Sequence, residues 1–221
     1  MNLPAIAILG GTFDPVHIGH VRSAQELCHR LGLNQCLLVP CHLPPHRESP
    51  QSSADHRLQM VELAVAGIDG LAADDRELRR SGPSYTVDTL AEIRAEQGAA
   101  VSVNFVMGSD AYNNLHTWSR WQSLFEFANV VVMHRDGFRE TPVPEVRDYA
   151  ATRLVDPARL KDISHGAMAH VALTPWPQSA TQVREYLQRG VIPGDSLPAG
   201  VADYIKQHRL YFGEPENADK A

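Results

Sequence analysis

The stretch "AIAILGGTFDPVHIGH", residues 5–20, decides how the rest of the chain is read. Ala5 to Leu9 is an unbroken apolar run, the mark of a parallel strand covered on both faces. Gly10 and Gly11 close it, and beyond them Val21, Ala24, Leu27, Cys28 and Leu31 recur at helical spacing, with Gly32 where a helix C-cap falls. The segment is therefore a strand, a glycine turn and a helix. Glycines let the backbone turn tightly and come close to a phosphate with no Cβ in the way, so "GGT" reads as a phosphate loop. Neither G-x-G-x-x-G nor G-x-x-x-x-G-K-[ST] is matched, which removes support for nicotinamide-dependent oxidoreductases and P-loop ATPases. His17 and His20 are three residues apart and share one face of a helical turn. Imidazoles beside a helix N-terminus can donate hydrogen bonds to phosphate oxygens and hold developing negative charge. Gly19 between them leaves room for a nucleoside against the backbone. The competing reading, a glycine turn with two surface histidines, does not account for the placement of the whole string at a strand end.

Outward from this segment, strands and helices alternate. Strands are expected at Gln35–Pro40, Val101–Gly108, Asn129–Arg135 and His170–Pro175. Helices are expected at Asp55–Ala66, Thr86–Gly98, Trp121–Ala128, Ala180–Gly190 and Ala199–Tyr211. Residues 74–80 are ambiguous, and 137–164 carry no clear period. The alternation implies an α/β fold, a doubly wound and mainly parallel sheet with helices on both faces. Such sheets take ligands at the carboxyl ends of their strands, where the strand order reverses. One domain is expected over 1–212, followed by a polar, disordered tail at 213–221.

Bulk composition bounds the function classes. The 221 residues suffice for one sizeable core, and 43% hydrophobic with 21% charged residues is ordinary for a globular protein. A net charge of -6 argues against a broad grip on nucleic acid or an anionic membrane surface. Cys28, Cys36 and Cys41 are odd in number and form no C-x-x-C pair, which fits reduced thiols in a cytoplasm. No apolar stretch has the length to span a bilayer, and the N-terminus lacks the form of a signal peptide. Cys41, His42 and His46 do not make a four-ligand zinc pattern, so no metal site is assigned to side chains.

A second phosphate handle stands at "TPWPQSATQVREYL", Thr174 to Leu187. Ser179 and Gln182 form an S-x-x-Q capping box that starts a helix. Capping does not explain Arg184, one turn past Thr181. A helix N-terminus with two hydroxyls and a guanidinium is a cradle for the outer phosphates of a nucleoside triphosphate.

"GTFDPVHIGH" resembles the HxGH signature of the nucleotidyltransferase superfamily, and "SATQVR" is similar to that superfamily's second signature. The superfamily extends to class I aminoacyl-tRNA synthetases, but no KMSKS-like loop is present. Three further stretches, "PPHR" (Pro44–Arg47), "GPSYTVDTL" (Gly82–Leu90) and "MGSDAYNNLHTWSRW" (Met107–Trp121), extend the resemblance to the bacterial nicotinate-mononucleotide adenylyltransferase family along nearly the whole chain. The resemblance implies a Rossmann-like fold and an enzyme with ATP and nicotinate mononucleotide as partners and Mg²⁺ as cofactor, carried mainly by the ATP phosphates. It implies that His17, His20 and Arg184 are catalytic. The ATP site would draw on Gly10, Gly11, Thr12 and Phe13 of the opening loop, Gly19 beside the histidines, Gly108 and Asp110, and Ser179 and Thr181. Nicotinate mononucleotide would meet Trp118 by stacking, backbone N–H groups around Tyr85 and Thr86 through its carboxylate, and Arg47 and Arg135 through its phosphate, with His46 also in its site. Trp121 is read as a core anchor. Preference for the amide mononucleotide, and a non-catalytic nucleotide-binding regulator, stay open as alternatives; the second predicts erosion of His17, His20 or Arg184, and all three are present.

Overall fold

The computed structural model describes residues 3–42, 49–134 and 139–213. His46, Arg47, Arg135 and the tail from 214 onward, which carry expectations above, lie outside the described residues. The strands are β1 (Ala5–Gly11), β2 (Gln35–Pro40), β3 (Leu71–Ala73), β4 (Ser102–Gly108), β5 (Asn129–His134) and β6 (Met168–Ala172). They form one six-stranded sheet in the order β3-β2-β1-β4-β5-β6. Every pairing is parallel, with Leu9 opposite both Leu38 and Val106. The helices are α1 (Ile18–Leu31), α2 (Ala54–Val65), α3 (Thr86–Gln97), α4 (Ser109–Asn113), α5 (Leu124–Phe127), α6 (Pro144–Ala151), α7 (Ala180–Gln188) and α8 (Ala199–His208).

Alternation along the strands explains why they read as continuous apolar runs. Ala7 and Leu9 face a core with Leu27 of α1, Met60 of α2, Leu187 of α7 and Ile205 of α8. Ile6 and Ile8 face the opposite core with Leu90 of α3, Tyr112 of α4, Leu124 of α5 and Val146 of α6. Each residue of β1 from Ala5 to Leu9 is thus buried on one face or the other, and no polar position interrupts that run. The chain leaves β1 toward β2 on one side and β4 toward β5 on the other. Strand order reverses between β1 and β4, which opens a crevice at their carboxyl ends.

Gly32 caps α1 at φ +62°, as its position requires. The late strand lies at Met168–Ala172, starting two residues and ending three residues before the expected His170–Pro175: it pairs with β5 only from Met168 to Ala172, opposite Val130 to His134. The expected helix at Trp121–Ala128 is divided into a 3₁₀ turn, Trp121–Ser123, and α5. The featureless region from 137 to 164 contains α6, started by Pro144 and buried through Val146 and Ala150. Among the described residues no helix is long and apolar enough to cross a membrane.

Candidate active site

The β1–α1 turn is shaped by aromatic packing. Phe13 is buried and sits at φ +49°, with its ring folded back over Gly11. A Cβ at Gly11 would lie 2.9 Å from that ring, so only glycine fits there. The Phe13 ring meets the ring of His20 edge-on at 5.0 Å. His17 is the N-cap of α1, in extended conformation. Its main-chain N–H donates to Nδ1 of His20 at 3.2 Å, and the two imidazoles stack with centroids 3.7 Å apart. Because the backbone N–H can only donate, Nδ1 of His20 is the acceptor and the ring proton resides on Nε2. His20 is thereby fixed as an Nε2–H donor. Gly19 admits the close packing of this turn, since a Cβ there would come within 3.0 Å of the His17 ring.

The capping box at the start of α7 forms as its sequence predicts. Ser179 caps α7, its Oγ accepting from the Gln182 N–H at 3.2 Å while Gln182 Oε1 accepts from the Ser179 N–H at 3.2 Å. Val183 and Leu187 bury one face of α7, and the chain entering it is tied to α1 by Glu26, which accepts from the Thr174 N–H at 3.0 Å and pairs with Arg30 at 2.7 Å. These partners hold the Glu26 carboxyl below its ordinary pKa despite the opposing effect of burial. Arg184, on the next turn of α7, reaches the opening loop: Nη1 donates to the Asp14 carbonyl at 2.6 Å, and Nη2 donates to Thr181 Oγ1 at 3.4 Å. Two signatures far apart in the chain are thus joined at one bend.

Gly108 ends β4 and caps α4, and the Asp110 carboxylate folds back over it, 2.6 Å from where a Cβ would stand. Ser109 Oγ donates to Glu140 at 2.9 Å, and Glu140 also faces His134 Nδ1 at 3.4 Å and His170 Nδ1 at 3.1 Å. On the same face of the sheet as α4, and opposite α1 and α7, Tyr85 caps α3 and Thr86 begins it. Tyr85 and Trp118 pack against the same apolar cluster as Val39 and Phe105, and the Trp118 ring lies 6.1 Å from that of Phe105. Trp121 is buried, edge-on to Tyr149 at 5.0 Å, and is the core anchor expected of it. The structure therefore places His17, His20, Ser179, Thr181 and Arg184 on the α1/α7 side of the crevice and Tyr85, Thr86 and Trp118 on the α3 side.

Several organising residues escape a sequence reading. Arg57 of α2 is 1% exposed; Nη1 donates to the Thr12 carbonyl at 2.8 Å and Nη2 to the His42 carbonyl at 3.3 Å, tying the ends of β1 and β2 together. Its signal is position: it occupies the apolar stripe continued by Met60, Val61 and Ala64. The His42 N–H donates to Ser84 Oγ at 3.0 Å, which joins the β2 end to the segment before Tyr85. Glu77, beneath that segment, is buried, and burial raises its carboxyl pKa against the lowering effect of Thr89, Ser84 and Arg80.

A parallel sheet of this order, with a histidine pair at the first strand end and a serine-capped helix returning an arginine to it, is the frame of a nucleotidyltransferase. The cytidylyltransferase-like family model matches residues 8–186. A curated protein of Serratia proteamaculans named "probable nicotinate-nucleotide adenylyltransferase" is 42% identical over 93% of this chain and 94% of that protein. Its namesake in Pseudomonas aeruginosa strain PAO1 is 45% identical over 93% of this chain and 96% of that protein. The chain belongs to the cytidylyltransferase-like family and, within it, to the nicotinate-nucleotide adenylyltransferases. The solved structure of Plasmodium falciparum nicotinic acid mononucleotide adenylyltransferase complexed with NaAD shares the fold, with a TM-score of 0.69 and 18% identity over 94% of this chain and 97% of that one.

Proposed function

We propose that the protein transfers the adenylyl group of ATP to the 5′-phosphate of nicotinate mononucleotide, giving deamido-NAD and pyrophosphate, a step of NAD biosynthesis. The observation that carries the reading is the hydrogen bond from Arg184 to the Asp14 carbonyl. It brings a guanidinium to the loop that leads into the His17–His20 stack, so three cationic or N–H-donating side chains adjoin one glycine turn. The unit proposed to carry the reaction is a single domain spanning residues 1–212.

ATP is assigned to the α1/α7 side. Its phosphates would lie along Gly10, Gly11, Thr12 and Phe13 and the N-terminus of α7 at Ser179 and Thr181, with Gly19, Gly108 and Asp110 completing its contacts. The mononucleotide is assigned to the α3 side, where Trp118 offers a flat face and the first N–H groups of α3, after Tyr85 and Thr86, offer donors for a carboxylate. His46, Arg47 and Arg135 are proposed to hold its phosphate. An oxygen of that phosphate attacks the α-phosphorus of ATP; the new P–O bond forms as the bond to the bridging oxygen breaks, and pyrophosphate leaves with the bonding electrons. A phosphate monoester has its second pKa near about 6, so the nucleophile is already ionised and no general base is needed. Catalysis then rests on alignment of the two phosphates and on donors aimed at charge that grows in the transition state. His20 supplies its Nε2–H, His17 a second imidazole, and Arg184 a fixed positive charge.

Mg²⁺ is assigned to the triphosphate. Phosphate oxygens with water suit a hard cation that keeps its hydration. The cation would neutralise charge on the phosphate chain. The test is pyrophosphate release by the full chain with ATP, Mg²⁺ and nicotinate mononucleotide, run beside nicotinamide mononucleotide. Release with the acid substrate is expected; release only with the amide reassigns the substrate, and release with neither removes the reading.

A further inference from the structure

The Asp14 side chain does work that the signature histidines and Arg184 do not explain. Its carboxylate is 5% exposed and takes three hydrogen bonds: from the Gln51 N–H to Oδ2 at 2.8 Å, from the Ser52 N–H to Oδ1 at 3.1 Å, and from the Tyr211 hydroxyl to Oδ1 at 2.7 Å. The same residue's carbonyl receives Arg184. Asp14 is therefore the point where the β1–α1 bend, the entry to α2, α7 and the C-terminal segment meet.

Tyr211 is the distant partner, brought back from beyond α8. The chain turns there through two non-glycine residues in the left-handed region, Arg209 at φ +53° and Tyr211 at φ +66°. L-residues rarely adopt that conformation, and it persists where surrounding contacts overdetermine it, often beside functional sites. The side chain packs against the α1/α2/α8 core and ends on the Asp14 carboxylate. Burial, with the Asp14 charge beside it, pushes the phenol pKa far up, so the hydroxyl remains a donor.

We infer that Tyr211 is a positioning residue for adenylyl transfer: through the Asp14 carboxylate it fixes the bend whose carbonyl sets Arg184 relative to the His17–His20 pair. The inference rests on the proposed reaction. Tyr211 itself touches no reacting group. Its hydroxyl holds Asp14, the Asp14 backbone orients the guanidinium, and the guanidinium meets the phosphates. Small displacements of aligned phosphates are expensive in rate, so one hydroxyl at this distance can matter.

The test is a double-mutant cycle on the full chain, with Tyr211→Phe, Arg184→Lys and the pair, read by pyrophosphate release and by thermal melting. Tyr211→Phe removes one oxygen and is expected to lower kcat about tenfold, with the mononucleotide KM changed less than about threefold. In the Arg184→Lys background, where the guanidinium that bridges the Asp14 carbonyl and Thr181 is already lost, the same substitution is expected to cost less than about twofold. A purely structural tyrosine would lower melting temperature and reduce activity by the same factor in both backgrounds, and that additive result overturns the inference. So does an unchanged kcat in Tyr211→Phe. An inactive wild-type protein overturns the proposed reaction together with this inference, whereas an active wild type with an indifferent Tyr211 overturns the inference alone.

Discussion

The main-chain N–H of His17 donates to Nδ1 of His20 at 3.2 Å, while the two rings stack 3.7 Å apart. The His20 imidazole thus closes the start of α1, and the proposed mechanism gives the same ring a role toward substrate. Cap and ring are separable by substitution. His20→Ala removes both functions, and turnover should fall about 10²-fold or more, by analogy with loss of one oxyanion donor. The cap itself contributes about 1 kcal/mol. His20→Gln restores an acceptor at the third helical position, as in a capping box, without restoring the ring. The expected outcome is a melting temperature near wild type for His20→Gln, with turnover as low as that of His20→Ala and ATP binding little changed in either. Recovery of turnover in the glutamine variant would remove the imidazole from the mechanism.

Arg57 sits under the ends of β1 and β2, with its two terminal nitrogens on the carbonyls of Thr12 and His42. Arg57→Met fills comparable space and leaves both carbonyls without that donor. Each buried, unsatisfied polar group costs about 1–3 kcal/mol, so a loss of roughly 2–5 kcal/mol is expected by chemical denaturation. Arg57→Lys retains a donor but not the fork that spans two strands, and should recover part of the loss. Because the two carbonyls border the crevice, KM for either substrate should rise in the methionine variant even at temperatures where it is fully folded. Equal stability of Arg57→Met and wild type would contradict the strapping role.

The parts of the fold legible in the sequence are those whose burial is symmetrical. β1, β2, β4 and β5 are covered on both faces and read as apolar runs. β3 has three residues at the sheet edge, too few to show a period, and the start of β6, Met168–Ala169, follows a glycine and small residues that mimic a loop. α6 escaped because only Val146 and Ala150 of its eight residues are buried. His17, His20 and Arg184, which the structure brings to one bend, stand out in the sequence because their own chemistry is unusual at strand and helix ends. Asp14, Arg57 and Tyr211 were not assigned roles, for a different reason. Arg57 ends on main-chain carbonyls, and Asp14 takes two of its bonds from main-chain N–H groups, so neither leaves a complementary side chain to find. Tyr211 is separated from Asp14 by almost the whole chain.

Glu77 gives a pH-dependent handle on the α3 side of the crevice. Burial raises its native carboxyl pKa above the ordinary value, while Thr89 donates to Oε1 at 2.6 Å. With the native value raised, the proton is held more tightly in the folded protein. The associated stability is present in full below the ordinary carboxylate pKa and is lost as pH rises through the native one. Glu77→Gln keeps an acceptor for Thr89 and cannot ionise. Melting curves from about pH 4 to about pH 8 should show a shallower fall for Glu77→Gln than for wild type, with the variant's relative stability increasing toward neutral pH. Parallel pH profiles for the two proteins would mean that Glu77 carries no desolvation cost.

Within one short segment the proposed function assigns Trp118 to the substrate, while Trp121 packs in the core. Trp121 is 8% exposed and wedged against Tyr149, whereas Trp118 is half-buried beside Phe105 at the crevice. Trp121→Ala should cost about 3–5 kcal/mol of stability, the range for emptying a buried aromatic site. Trp118→Ala leaves the core anchor in place and removes the flat face assigned to the pyridine ring. Loss of one aromatic stack is worth about 1–1.5 kcal/mol, so KM for nicotinate mononucleotide should rise about tenfold while KM for ATP is unchanged. Trp118→Phe should recover most of that factor, since a smaller ring still offers a π face. Steady-state kinetics with each substrate varied in turn decide the matter: equal increases in both KM values, or recovery by leucine as complete as by phenylalanine, would place the tryptophan in scaffold packing rather than against the ring.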